Sequence, residues 1–185
     1  MLEEPETVHA ALDRIGKSYE RAMGEVYEIT RGVNEGGSAI QWLNTWAPGF
    51  HAQMQCDMSV MISNPLFRKF ILPELQSQCR FLEYPLYHFD GIEQLRHLDD
   101  ILSVPELRVI QWTQVDGQAP VTEYIPALQK IQAAGKNLLL NAVKPQQIRP
   151  LMENLSSKGL LLVTDAATRE EADSMIEEVA RLTHD

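Results

Sequence analysis

Cysteine is almost absent from this chain. Its 185 residues hold two, Cys56 and Cys79, in no Cys-x-x-Cys arrangement, so they read as reduced thiols and a disulfide framework is excluded. Long apolar runs are also missing: no stretch approaches the roughly 20 residues of a membrane span. Basic residues are few. Sixteen Lys and Arg stand against 26 Asp and Glu, a net charge of −10, and they are scattered, whereas a nucleic-acid partner needs a basic stripe. The opening Met1-Leu2-Glu3-Glu4-Pro5 is acidic and lacks the basic-then-apolar order of a secretion signal. A cytoplasmic protein with no membrane and no nucleic-acid partner is expected. No P-loop, Gly-x-Gly-x-x-Gly, Gly-x-Ser-x-Gly or His-Glu-x-x-His pattern occurs.

What the chain has is alternation of two periods. Residues 1–32 lead with a helix, for Val8, Leu12, Ile15, Tyr19, Met23, Val26 and Tyr27 recur at spacings of three and four. Gly36-Gly37 breaks it. Five β-type runs follow, at residues 38–46, 84–89, 107–112, 137–143 and 160–164. Helical patterns lie between them. Asn64-Pro65 opens one that Pro73 should kink, and Asp90-Gly91 precedes Ile92, Leu95, Leu98 and Ile101. Another follows Thr122 and stops at Gly135, and Thr168 with Glu171 forms a capping box for the last. Strands alternating with helices imply βαβ units and a parallel sheet in one domain over residues 1–185. Leu138–Leu140 and Leu160–Val163 are continuously apolar, as strands covered on both faces should be. Five strands fall short of the eight in a closed barrel, and periodicity alone leaves an open five-stranded sheet possible.

Parallel architectures place reactive groups where strands end, and four places qualify. Asp57 is flanked by Met54, Cys56, Met58 and Met61, apolar neighbours that would raise a carboxyl pKa. His88 and Asp90 are two apart and so point the same way from an extended chain. They can bind a metal together, or act as a base and its orienting group. Trp112, beside Gln111 and ahead of Asp116-Gly117, is a candidate pocket wall. Asn141 and Asp165, the latter after Thr164, are candidates for hydrogen bonds to a ligand. His51 and His97 lack partners at ligand spacing, and His97 is expected to lie solvated in a helix. Each of these also has a structural reading, as a cap, a turn or core.

The stretch Asp57–Leu75, DMSVMISNPLFRKFILPEL, carries Pro65, Phe67, Phe70 and Pro73. It resembles the strand-then-helix segment of the uroporphyrinogen decarboxylase-like superfamily. YPLYHFDG (84–91) and LRVIQW (107–112) resemble its next two strands, and Leu140-Asn141 before Pro145 resembles its Gly-Asn-x-x-Pro turn. The likeness runs in order over about residues 38–180. It implies part of a TIM (β/α)8 barrel, strands four to eight with flanking helices, the first three strands being absent. It further implies one of two activities. One is cofactor-free decarboxylation of a tetrapyrrole; the other is methyl transfer involving a corrinoid protein or a thiol, on zinc held by His-x-Cys and a later Cys.

His88 matches that His, but Asp90 stands at the Cys and the later Cys falls near Thr164-Asp165. Carboxylates at those places still suit a divalent metal such as zinc. Asp57 stands where the decarboxylases carry a Ser. The expectation is a lyase-like or methyltransferase-like enzyme with Asp57, His88 and Asp90 as catalytic residues, His88 and Asp90 doubling as metal ligands. Trp112, Asn141 and Asp165 would contact a tetrapyrrole- or corrinoid-related substrate. The chain alone is expected to be inactive, and its open barrel edges to associate with a missing N-terminal half or with another copy. A non-catalytic subunit that recruits a partner through those edges is the rival expectation.

Overall fold

Proline in its first turn starts α1 (Pro5–Thr30) of the computed structural model, which describes every residue except Leu2 and Asp116. Of the predicted stripe, Tyr19 and Tyr27 make contact through their rings, as does His9 beside it, whereas Ile15 and Val26 are exposed. Tyr27 stacks on Phe50 with ring centroids 4.6 Å apart, Tyr19 meets the edge of Phe81, and His9 stacks on Phe70. No described helix is long and apolar enough to cross a membrane. The chain divides into two compact units, residues 1–87 with 96–108, and residues 88–95 with 109–185.

In the first unit, the run expected as one strand over residues 38–46 is instead a hairpin. Strand β1 (Ser38–Ile40) pairs antiparallel with β2 (Thr45–Ala47). Between them Asn44 takes the left-handed conformation that Asn tolerates, at φ 53°. Gly37 is obligatory here: a Cβ on it would fall inside contact distance of Ala47 O and the Trp46 ring. Gly37→Ala should therefore cost about 1–3 kcal/mol, read from urea unfolding. An unchanged midpoint would show that the hairpin yields freely.

The first parallel strand is β3 (His51–Met54), which pairs with β4 (Tyr84–Phe89) in the register His51↔Tyr84 to Met54↔Tyr87. His51 is a structural node. Its Nδ1 donates to Tyr84 O (2.6 Å), its Nε2 accepts from Thr45 Oγ1 (2.9 Å), and its backbone N–H donates to Ser38 Oγ. The crossover from β3 to β4 is α2 (Asn64–Leu66), a π-turn at Phe67–Ile71 and α3 (Leu72–Phe81). The expected disturbance at Pro73 appears as that π-turn, since Pro has no N–H to continue the ladder.

His97 corrects the sequence reading. Expected in solvent, it is fully buried, stacked on Phe67 at 4.3 Å, and its Nε2 donates to Ser59 O (2.9 Å). Its Nδ1 has no hydrogen-bond partner among the described residues. Burial pushes the pKa of both His97 and His51 below the ordinary 6.5, against the smaller opposing effect of their backbone carbonyl partners. The unfolded chain thus binds more protons than the folded one just below pH 6.5. Stability is fully present above that value and declines as the pH falls through it toward the depressed folded-state pKa values. Thermal melts should drop between about pH 7.5 and pH 5, and less steeply in His97→Gln. Parallel curves for wild type and variant would remove His97 from this account.

The second unit begins within the C-terminal end of β4. A short α4 (Leu98–Leu102) belongs to the first unit, and β5 (Val109–Trp112), α5 (Ile125–Ala133), β6 (Asn137–Val143), α6 (Pro145–Asn154), β7 (Leu160–Thr164) and α7 (Arg169–Leu182) complete the chain. Thr168 Oγ1 caps α7 by accepting from Glu171 N. The sheet is parallel and five-stranded, in the sequential order β3-β4-β5-β6-β7.

Register sorts the second unit's residues by face. Ile110, Leu138 and Leu160 stand side by side, as do Trp112, Leu140 and Leu162. Leu160 and Leu162 line a cavity of about 330 Å³ with Ile148 and Met152 of α6 and Met175 and Val179 of α7. That side therefore faces helices. Gln111, Leu139 and Leu161 share the opposite side. β6 is covered on both faces, as its three leucines suggested, but β7 is not: Leu161 is 42% exposed. β7 is the edge of the described sheet, with no strand beyond it to help cover Leu161.

Candidate functional site

The candidate site is built where β4 ends. Alternation turns His88 and Asp90 to one side, and the structure brings them together: His88 Nε2 lies 3.2 Å from Asp90 Oδ1, with side chains 13% and 21% exposed. The turn beyond them requires Gly91. Its φ is +65°, and a Cβ there would sit 2.6 Å from Gln118 Oε1 and 3.0 Å from Thr113 O. The end of β4 is thus seated closely against the loop after β5, and Thr113 N donates to Phe89 O (2.9 Å).

Two amides grip the pair. His88 Nδ1 donates to Gln111 Oε1, and Gln111 Nε2 donates in turn to Thr113 Oγ1 (3.1 Å). Thr113 Oγ1 lies 3.3 and 3.4 Å from the two ring nitrogens of His88. On the other side, Gln94 Oε1 accepts from Asp90 N (3.1 Å) while Gln94 Nε2 donates to Asp90 Oδ2 (3.2 Å). Gln94 and Gln111 are both buried. Gln111 places the cluster on the sheet face that looks away from α6 and α7. Gln94 and Thr113 escaped the sequence reading, and Gln111 entered it only as a neighbour of Trp112. The available signal was an amide inside an otherwise apolar strand.

The other expected site residues divide. Trp112 is 1% exposed and packs between Phe89 (5.1 Å) and Tyr124 (5.5 Å) on the helix-facing side; it is core, not a wall beside His88. Asn141 follows Leu140, so alternation gives it the face of Gln111, and its Oδ1 is a buried oxygen with no hydrogen-bond partner among the described residues. Just beyond it Ala142 has a positive φ of 53° where β6 and β7 shift register. Gln114 Nε2 braces this bulge by donating to Asn141 O (3.1 Å) and Ala142 O (3.3 Å). No protein-family model and no curated protein matches this chain.

Asp165 is exposed beyond β7. Asp57 belongs to the first unit, where it is exposed at the start of a 3-10 turn and accepts from Gln55 Nε2 (3.0 Å). Of the apolar neighbours expected around it, Met58 and Met61 also face solvent. Asp116 lies outside the described residues. Among those described, no three His, Cys, Asp or Glu side chains gather as a metal-binding group, so the geometry offers one imidazole nitrogen and one carboxylate oxygen converging on a point. A pair of that kind can hold a cation jointly with outside ligands, or relay a proton.

Proposed function

We propose that this chain is the strand-four-to-eight portion of a uroporphyrinogen decarboxylase-like (β/α)8 barrel whose His88–Asp90 pair holds a divalent metal, zinc by ligand type. The observation that carries the reading is the 3.2 Å edge between His88 Nε2 and Asp90 Oδ1 at the C-terminal end of a parallel strand. A tetrahedral site with bonds of about 2.1 Å has ligand edges of about 3.4 Å, so the two atoms already stand close to chelating distance. Both ring nitrogens of His88 face oxygens, and a cation held by Nε2 and Oδ1 would leave Nδ1–H on Gln111.

Strand order supports the barrel part. Doubly wound sheets reverse direction at a switch point, whereas β3 to β7 run in sequence. Within the second unit, right-handed crossovers in one constant direction would put α5 and α6 on the same face, as a barrel needs. The opposite face, interior in a barrel, is the one that carries His88, Gln111 and Asn141.

Of the two activities the resemblance implies, methyl transfer to or from a corrinoid-related partner suits this pair better, because that activity uses a metal at the His position. A bound divalent cation supplies Lewis acidity there. His88 and Asp90 would orient it, and Asn141 Oδ1 would accept a hydrogen bond from substrate. Asp90 in place of a thiolate makes the donor set harder. Titration of the protein with cobinamide and with uroporphyrin, each with and without zinc, tests this. Zinc-strengthened cobinamide binding is expected. Metal-independent uroporphyrin binding would favour the decarboxylase instead, and binding of neither ligand would sink both.

A second reading is favoured by a separate observation, the exposure of Leu161 (42%) on edge strand β7 and of Ile176 (68%) on α7. Apolar side chains on an open edge associate, and this edge would receive the barrel's remaining strands or a second copy. Sedimentation velocity should then show concentration-dependent association. A monomer at all concentrations, with a single cooperative unfolding transition, speaks against it.

A further inference from the structure

We propose that the cavity beneath α7 is a binding site for a neutral straight-chain aliphatic alcohol, held with its hydroxyl toward Thr164. The cavity lies wholly within the second unit, between β7, α6 and α7, and His88 and Asp90 are not among its walls. It stands whether or not that pair holds a metal. Helix α7 is well specified by its Thr168 cap, and its Met175 and Val179 turn toward the cavity. Yet no residue of α7 or of β7 is buried. The apolar walls therefore enclose about 330 Å³, where an engineered apolar cavity of about 150 Å³ already takes up benzene. An empty space of this size forgoes the dispersion contacts that its lining could make.

Shape sets the length of the occupant. Leu160, Leu162 and Thr164 all line the cavity, so it follows β7 from end to end. At about 3.3 Å per residue that is about 13 Å, the extended length of an alcohol of about eight carbons. Charge sets its head. No Lys, Arg, His, Asp or Glu lines the cavity, so an ionised group would be stripped of water there without a counter-charge. Hydrogen bonding sets its direction. At one end the hydroxyls are engaged: Thr183 Oγ1 donates to Val179 O (2.9 Å), and Ser157 Oγ accepts from His184 N (3.0 Å). At the other end Thr164 Oγ1 is buried with no hydrogen-bond partner among the described residues. A hydroxyl so placed carries a cost that a partner removes. One staggered rotation about χ1 is the movement needed to turn it toward a ligand hydroxyl in the cavity.

Protein labelled with carbon-13 in its methionine methyl groups tests this, because Met152 and Met175 line the cavity while Met58 and Met61 are exposed in the first unit. Titration with 1-octanol should shift Met152 and Met175 saturably and leave Met58 and Met61 in place. Affinity should rise about fourfold per methylene from 1-hexanol to 1-octanol. Octanoate at pH 8 should bind at least about tenfold more weakly than 1-octanol. Thr164→Val should fold and should hold 1-octanol about threefold to tenfold less tightly, with hexane binding unchanged. Val179→Phe, which fills the cavity from the α7 side, should abolish binding. If that variant fails to fold, Thr164→Val and the chain-length series decide. Equal shifts at all four methionines, octanoate as tight as octanol, or undiminished octanol affinity in Thr164→Val would overturn the proposal. So would Met152 and Met175 signals that move with protein concentration when no alcohol is present, because a second copy of the chain would then fill the cavity.

Discussion

Replacing His88 with alanine should lower zinc affinity by at least about a hundredfold. Loss of a residue that merely orients a ligand costs about tenfold to a hundredfold, and His88 is the only nitrogen ligand in the proposed pair. Asp90→Ala should follow it closely, since Asp90 Oδ1 is the partner atom at 3.2 Å. Neither change should unfold the protein. Both side chains lie at a strand end and are partly exposed, so no apolar core is lost. Isothermal titration of zinc into wild type and both variants, with melting curves alongside, separates lost binding from lost folding. Equal zinc affinity in all three would remove the pair from the site.

Trp112→Ala should do the reverse, costing about 3–5 kcal/mol of stability with zinc affinity kept in the molecules that remain folded. For a chain of this length that is a fall in melting temperature on the order of 10 °C. The ring is 1% exposed and bridges Phe89 and Tyr124, so truncation leaves a cavity that rigid neighbours on β4 and near α5 cannot fill. It stands on the helix-facing side of β5, opposite Gln111. A Trp112→Ala protein of undiminished stability would show that the aromatic row is not packed as described.

The strands that could be read from sequence were those whose composition leaves little choice. β4, β6 and β7 coincide with the expected runs, because apolar residues bounded by Gly, Asn or Asp suit a strand buried among neighbours. β3 was not legible: His51-Ala52-Gln53-Met54 has no β-branched residue, and its polar atoms are met by Ser38, Thr45 and Tyr84, contacts no periodicity announces. The hairpin before it merged into one run because the turn at Asn44 lacks a Gly.

Helix α6 was hidden by Pro150, which reads as a breaker. It is tolerated because the carbonyl it leaves unpaired belongs to Gln146, an exposed residue in the first turn that water can serve. At the site, the spacing of His88 and Asp90 was enough to predict their convergence. Their amide supports were not predictable, since a glutamine four residues on and another one strand away have no spacing rule. Trp112 and Asp57 misled for a common reason. Chemistry-bearing side chains next to a strand end were credited to the site before it was known which face, or which exposure, the backbone gave them.

X-ray absorption at the zinc edge of the zinc-loaded protein should show a first shell of nitrogen and oxygen at about 2.0–2.2 Å, with the outer scattering of a single imidazole, and loss of that imidazole signal in His88→Ala. A sulfur shell at about 2.3 Å, drawn from Cys56 or Cys79, or an imidazole signal that survives His88→Ala, would contradict the metal reading.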